Sequence, residues 1–345
     1  MRDPQMQQRE TAKRVVFVHG VLQRSGTNYL FNLLSHHPDC CSGGIFEDFL
    51  SSASPLLTGY IATLAQSWNG EWLEGRKDEV CRRLAGRLGN ALLSFLVDGA
   101  DERRLFLTKT PSTLNLQNCF ALFPDARIIL VIRDGRDVVS SGMRTFDWEW
   151  EFAVRQWTLS ARRIQEFLRQ NENSRQVLLV RYEDLFQHTQ AQLLRILAFL
   201  DLDPGRIDWA SVEATPVRGS CAYGRDEAAQ VDWRPVVRSS DFSPLGRYRD
   251  WPKRRRQRFQ WLAGEVSSEF GYPLTEGIGR SRLANVLDWT LDRWWQVRRR
   301  WSETSFHLKR ALLHPAPEFS TGIHHYYGQR IGVAEQTPAS LARHP

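Results

Sequence analysis

Four apolar residues, Val15-Val-Phe-Val18, run into the loop His19-Gly-Val-Leu-Gln-Arg24. Ser25-Gly-Thr-Asn28 follows and opens a segment with Tyr29, Leu30, Leu33 and Leu34 at helical spacing. A short β-branched apolar run reads as a buried strand, and the three-to-four spacing reads as a helix face. A strand that feeds a helix through a small-residue loop is the opening of an α/β fold. It also makes an anion site: the first-turn N–H groups are unpaired and the helix dipole favours negative charge. His37-Pro38 is expected to stop this helix.

Leu105–Thr108, Arg127–Ile132 (RIILVI) and Val177–Val180 (VLLV) are the further strands expected. Helices are expected through 52–100, interrupted at Gly70, Gly75 and Gly86, then from near Asp137, and over Trp148–Leu168, Gln190–Leu200 and Lys253–Phe270. Asp201–Ser243 is rich in turn residues and is expected to wrap over the site. Strands that are continuous apolar runs, separated by helices, belong to a parallel sheet covered on both faces. The expected fold is therefore α/β of P-loop type: three layers, with a parallel sheet of about five strands flanked by helices. The expected organisation is a flexible N-terminus (1–13), one domain (14–275) and a C-terminal part (276–345). The last holds a Trp- and Arg-rich amphipathic helix, Ser281–Trp301, and a loose tail.

A chain of 345 residues with 42% hydrophobic content is long enough to bury a substantial core. Its net charge of +7 suits anionic ligands, acidic partners, nucleic acid or a membrane surface without choosing among them. The five cysteines form no C-x-x-C pair, which argues against a zinc site or a disulfide framework and suggests a reduced, cytoplasmic location. The N-terminus is polar and no segment approaches 18 consecutive apolar residues, so neither a signal peptide nor a transmembrane helix is expected. A membrane anchor outside this chain stays open.

The loop departs from the Walker form G-x-x-x-x-G-K-[ST]. Ser25 stands where the second glycine belongs and Gly26 where the lysine belongs, while Arg24 supplies the fixed cation. Arg24-Ser-Gly-Thr27 resembles the 5′-phosphosulfate loop of sulfotransferases that use 3′-phosphoadenosine-5′-phosphosulfate (PAPS). Here Gly20 stands four residues before the arginine, where many relatives have three. About a hundred residues later, IILVIRDGRDVVSS resembles the family's 3′-phosphate signature. Phe123-Pro-Asp-Ala-Arg, Arg181-Tyr-Glu-Asp-Leu and Gly246-Arg-Tyr-Arg-Asp-Trp are similar to three further family segments. The resemblance covers roughly residues 14–273 and is closest to the tyrosylprotein and bacterial branch. It implies that Arg24, Ser25, Gly26, Thr27 and Asn28 hold the 5′ end of the nucleotide. It assigns Arg133 and Ser141 to the 3′-phosphate, and makes Tyr182 and Arg247 further contacts. Arg136 and Asp137 are expected to form a structural ion pair and helix cap.

Sulfuryl transfer, like phosphoryl transfer, needs positioned cations around a loose transition state and a base for the acceptor proton. Arg24 is one cation. Lys109, in Thr108-Lys-Thr-Pro-Ser-Thr-Leu, resembles the lysine of the K-[TD]-P-x-x-L stretch and is the candidate for the other. The histidine base of the cytosolic branch is absent, since Thr110 and Pro111 occupy its place. By resemblance to the tyrosylprotein branch, Glu47 is the candidate base, with Asp48 as its rival; His19 is more simply structural. PAPS is the expected co-substrate, no metal is expected, and the acceptor is a hydroxyl of unknown class: tyrosyl, glycan, lipid or small molecule. One alternative is a P-loop nucleotide kinase or NTPase, against which the missing Walker lysine counts. The other is a basic nucleic-acid or membrane-surface module, suggested by Lys253-Arg-Arg-Arg and by Arg298-Arg-Arg near Trp294, Trp295 and Trp301. No nucleic acid is expected, while a peripheral membrane contact or a homodimer stays open.

Overall fold

The computed structural model describes residues 14–45, 47–98, 105–218, 235–236, 243–273 and 284–298. Strand β1 (Arg14–Gly20) lies at the centre of a five-stranded sheet, and every strand pairing in it is parallel. On one side stand β3 (Leu105–Thr110) and then β2 (Cys40–Cys41); on the other stand β4 (Arg127–Ile132) and β5 (Val177–Arg181). From β1 the chain crosses to the edge strand β2, returns to β3 beside β1, and then passes to β4 and β5 on the other side. The crevice at the carboxyl ends of the strands beside such a reversal is where open α/β sheets bind ligands. The register aligns those ends: Gly20 pairs with Val131, Lys109 with Val18 and Arg181 with Ile132.

Alternation along the strands fills two cores. Phe17, Phe106, Ile128 and Leu130 face one layer with Trp157 and Phe259. Val16, Val18, Ile129 and Val131 face the other with Leu30, Leu33, Ile196 and Leu197. The helices that cover the sheet are α1 (Thr27–Leu34), α2 (Leu50–Ser67), α3 (Lys77–Val97), α4 (Cys119–Leu122), α5 (Gly135–Phe146) and α6 (Trp150–Gln170). They continue with α7 (Tyr182–Gln187), α8 (Thr189–Phe199), α9 (Trp209–Ala214) and α10 (Lys253–Glu269). A further helix, α11, covers residues 284–298.

The expected α/β fold with a parallel sheet of about five strands is what forms. Four strands fall where the apolar runs placed them, and the fifth, Cys40–Cys41, has no run to announce it. β3 continues through Lys109 and Thr110 with all six residues buried, so Lys109 sits inside the strand rather than capping it. Gly70 and Gly75 do separate two helices, but Gly86 lies inside α3, where its side-chain position faces open space and nothing forces a break. α1 ends at Leu34, three residues before His37-Pro38, in a turn where His36 and His37 N–H groups bond back to Leu33 and Leu34. Of Asp201–Ser243, the described part contains α9 and a short antiparallel pairing of Val217–Arg218 with Pro235–Val236. The expected N-terminus 1–13 and tail 315–345 lie outside the described residues, as do the first three and last three positions of the expected helix 281–301.

Candidate active site

The β1–α1 loop bends through two left-handed residues, Arg24 (φ 71°) and Gly26 (φ 98°). Gly26 could not carry a side chain: a Cβ there would stand 2.1 Å from Cδ2 of Tyr182. The same holds at Gly20, whose Cβ would meet Ser25 Oγ at 2.3 Å. These two contacts fold the loop tightly onto the sheet end, and Val21 N–H anchors it by donating to Val131 O at 2.9 Å. α1 then starts with no side-chain cap and no acidic residue in its first turn, and the first N–H groups of a helix have no partner within it.

Arg133 leaves the end of β4 and bridges two loops, donating from its guanidinium to Arg24 O at 2.7 Å and to Pro244 O. Its guanidinium carbon stacks over the Tyr182 ring at 4.5 Å. Arg24 Nε donates to Ser141 Oγ at 2.9 Å, and Arg247 reaches the same hydroxyl at 3.5 Å. Asp137 carries the 246–247 turn, accepting from Gly246 N at 2.9 Å and Arg247 N at 2.6 Å. The expected Arg136–Asp137 pair is therefore corrected. Arg136 pairs with Asp134, which also caps α5, because only Asp134 lies before the helix and can reach back to its first N–H groups.

A cavity of about 430 Å³ opens here, lined by Arg24, Gly26, Thr27, Asn28, Arg133, Tyr182 and Arg247. Burial first, and then the Arg133 guanidinium, push the Arg247 guanidinium down to about 10. Three guanidiniums lining one recess make it electropositive and suited to an anion. Ser25 Oγ, Asn28 Oδ1 and Arg133 Nε are buried without a hydrogen-bond partner. Buried polar groups are otherwise paired; of these, Ser25 Oγ and Arg133 Nε carry hydrogens that a phosphate or sulfate oxygen can accept, whereas Asn28 Oδ1 accepts and calls for a donor such as a hydroxyl. Ser25 and Ser141 do not appear in the cavity wall itself; Ser141 sits behind Arg24 and Arg247 and orients both.

Glu47 lines the same cavity, and Lys109 Nζ, fully buried, donates to its Oε1 at 3.1 Å. Burial lowers the pKa of Lys109, opposed by the neighbouring Glu47 carboxylate. Asp48 is turned to structural work: it accepts from Thr108 Oγ1 at 2.7 Å and from Leu50 N at 2.8 Å. His19 is wholly buried, its Nδ1 3.1 Å from Ser112 O, and burial lowers its pKa. Sequence reasoning missed Gln23, Pro111, Phe146, Val217 and Pro244 in the wall. Gln23 lies in the β1–α1 loop itself, but Pro111, Phe146, Val217 and Pro244 carried no signal, since each arrives by long-range folding; the Arg24 guanidinium, for instance, lies 5.9 Å from the Phe146 ring centroid. Among the described residues no group of three or more His, Cys, Asp or Glu could hold a metal ion.

A model of the sulfotransferase family matches residues 16–205, more than half of the chain. A putative protein-tyrosine sulfotransferase of Caenorhabditis briggsae is 28% identical over 206 residues, covering 55% of this chain and 66% of that protein. Protein-tyrosine sulfotransferase A of Caenorhabditis elegans is 27% identical, covering 54% of this chain and 50% of that protein. The Drosophila melanogaster protein-tyrosine sulfotransferase is also 27% identical, covering 54% and 38%. The matched region thus spans at most about two thirds of the length of these relatives. Among solved structures, a sulfotransferase domain of a Synechococcus olefin synthase superposes with a TM-score of 0.44 at 19% identity, over 76% of this chain and 98% of that one. A mouse sulfotransferase complexed with PAP gives 0.39 at 14% identity, over 75% and 86%.

The cytoplasmic location expected from the cysteines is corrected by these relatives, because a match to protein-tyrosine sulfotransferases conflicts with it. The physical basis of that expectation was also weak. Cys40, Cys41 and Cys119 are buried in the fold, where free thiols pack as small apolar groups and report nothing of the compartment. No helix among the described residues is long and apolar enough to cross a membrane. With the strand–loop–helix anion site, the Arg133 signature and the family match on the same stretch of sequence, the chain belongs to the sulfotransferase family.

Proposed function

We propose that this chain transfers a sulfuryl group from PAPS to an acceptor hydroxyl, and that the acceptor is a tyrosyl phenol. The carrying observation is one cavity that holds the Arg24, Arg133 and Arg247 guanidiniums and also the Glu47 carboxylate, backed by buried Lys109. Bound PAPS supplies the sulfuryl group, whose bond to the 5′-phosphate oxygen breaks as a bond to the acceptor oxygen forms, leaving PAP. Arg24 and the α1 N-terminus hold the 5′ end, and Arg133, with Ser141 orienting its neighbours, holds the 3′-phosphate. Lys109 supplies positive charge where charge builds on the transferring group. Glu47 takes the acceptor proton. The tyrosyl choice is supported by the names of the curated relatives, all protein-tyrosine sulfotransferases.

The test uses PAPS labelled in the sulfuryl group and three peptides that differ only in carrying Tyr, Ser or Phe at one position. Label should pass to the Tyr peptide, with one PAP released for each sulfate transferred. Transfer to the Ser peptide instead would keep the sulfotransferase and remove the tyrosyl acceptor. Binding of ATP in preference to PAP, with no transfer to any acceptor, would remove both.

A further inference from the structure

Helix α11 is fixed to the domain through its acids. Asp288, fully buried, accepts from Arg254 at 2.6 Å and from Arg258. Asp292 accepts from Arg258 at 2.6 Å, from Trp261 Nε1 at 2.7 Å and from Arg155. Asp288, Asp292 and Trp295 recur at i, i+4 and i+7 and so define the inner face. Asp288 and Asp292 are the only acids among the described residues of this helix, and both are spent inward.

The outer face is of another kind. Val286 (62% exposed), Trp289 (55%), Trp294 (58%) and Val297 (61%) stand in solvent, interleaved with Arg293 and Arg298. Each arginine is paired with an indole: Arg293 lies 5.3 Å from the Trp289 ring centroid and Arg298 lies 5.3 Å from that of Trp294. Single exposed apolar residues need no account, but here large ones cover the solvent-facing half of one helix over about 16 Å, with Trp289 and Trp294, about 140° apart, on its two flanks and Val286 and Val297 between them. Tryptophan with arginine is also the pairing that suits a boundary between hydrocarbon and charged headgroups.

The geometry points to this face as a peripheral docking surface for an anionic lipid membrane. In that contact Trp289 and Trp294 enter the headgroup–acyl boundary, and Arg293 and Arg298 meet lipid phosphates. Charge selects lipid over a second copy of the same face. The face carries cations and no carboxylate, so two copies would oppose like charges, whereas an anionic surface complements them. This contact is independent of the transfer chemistry.

The test is co-sedimentation of the full chain with vesicles of phosphatidylcholine containing roughly a third phosphatidylserine, against phosphatidylcholine alone. The chain should pellet with the anionic vesicles and be released by salt. The double variant Trp289→Ser/Trp294→Ser should lose vesicle binding by roughly tenfold or more, with PAP binding unchanged as the readout of folding. Equal binding by wild type and variant, or no binding by wild type, overturns the proposal. So does a wild-type dimer that the variant converts to a monomer on a sizing column, since a second copy would then cover the face.

Discussion

Glu47 and Asp48 are adjacent in sequence, yet the fold gives them opposite employment. Glu47 faces the cavity beside Lys109, while both Asp48 oxygens are engaged by Thr108 and Leu50. Glu47→Gln should therefore lower turnover by roughly two to four orders of magnitude with PAP affinity nearly intact, because shape survives and proton acceptance does not. Asp48→Asn keeps one oxygen for Leu50 N and turns its NH2 toward Thr108 Oγ1, which can accept instead of donate, so turnover should change little. Single-turnover rates and PAP titrations on both variants decide it; a silent Glu47→Gln beside an inactive Asp48→Asn would move the base by one residue. The sequence could nominate this pair but not rank it, since the ranking depends on Thr108, 60 residues away. Arg133 and Tyr182 were legible as cavity-wall residues because each directly follows a strand whose apolar run is plain, and Arg24 because it lies in the loop between such a strand and its helix. Lys109 was legible as a residue but misplaced: a lysine in a strand with every residue buried has no local signature, and the Glu47 carboxylate helps to make its burial tolerable.

At the scale of elements, buried parallel strands announce themselves as apolar runs, and four of the five did. Cys40–Cys41 did not, because a two-residue edge strand is defined by its partner β3 and not by its own pattern. The segment at Gly246–Arg247 was legible by its resemblance to the family, but what holds its turn was hidden. It is held by the carboxylate of Asp137, 109 residues earlier in the chain, and brings Arg247 to the cavity. That closure has a pH signature. Burial and the neighbouring Arg133 push Arg247 down to about 10 in the free protein. A bound phosphate would restore the preference for the charged form, so the bound pKa lies above the free one. PAP affinity should then be full below about pH 10 and fall as pH rises through it. Arg247→Ala should bind PAP about 10- to 100-fold more weakly near neutrality, as expected for losing a charged hydrogen-bond partner, and should lose this basic limb. Equilibrium titration with PAP across that range is the check. A wild-type profile that stays flat beyond pH 10 would mean that Arg247 does not meet the nucleotide.

The whole molecule raises the question of where the working unit ends. We propose that residues 14–275 suffice to bind nucleotide, since every residue of the cavity wall falls within them. Stability is another matter, because α11 is tied to α6 and α10 through Arg258. That guanidinium is 4% exposed and is shared by Glu151, Asp288 and Asp292. In the full chain, Arg258→Ala takes one of its two arginine partners from a fully buried Asp288, and loss of one partner from a buried pair costs about 3 kcal/mol or more. In a chain ending after residue 275, Asp288 and Asp292 are gone, and the same substitution removes only the Glu151 contact, at about 1 kcal/mol. Urea unfolding of the four proteins should accordingly show a coupling of about 2 kcal/mol between truncation and Arg258→Ala, while both truncated forms still bind PAP. An Arg258→Ala cost that is the same in long and short chains would mean that α11 is not held through this arginine. Loss of PAP binding by a truncated chain that still unfolds cooperatively would instead show that the nucleotide site draws on residues beyond 275.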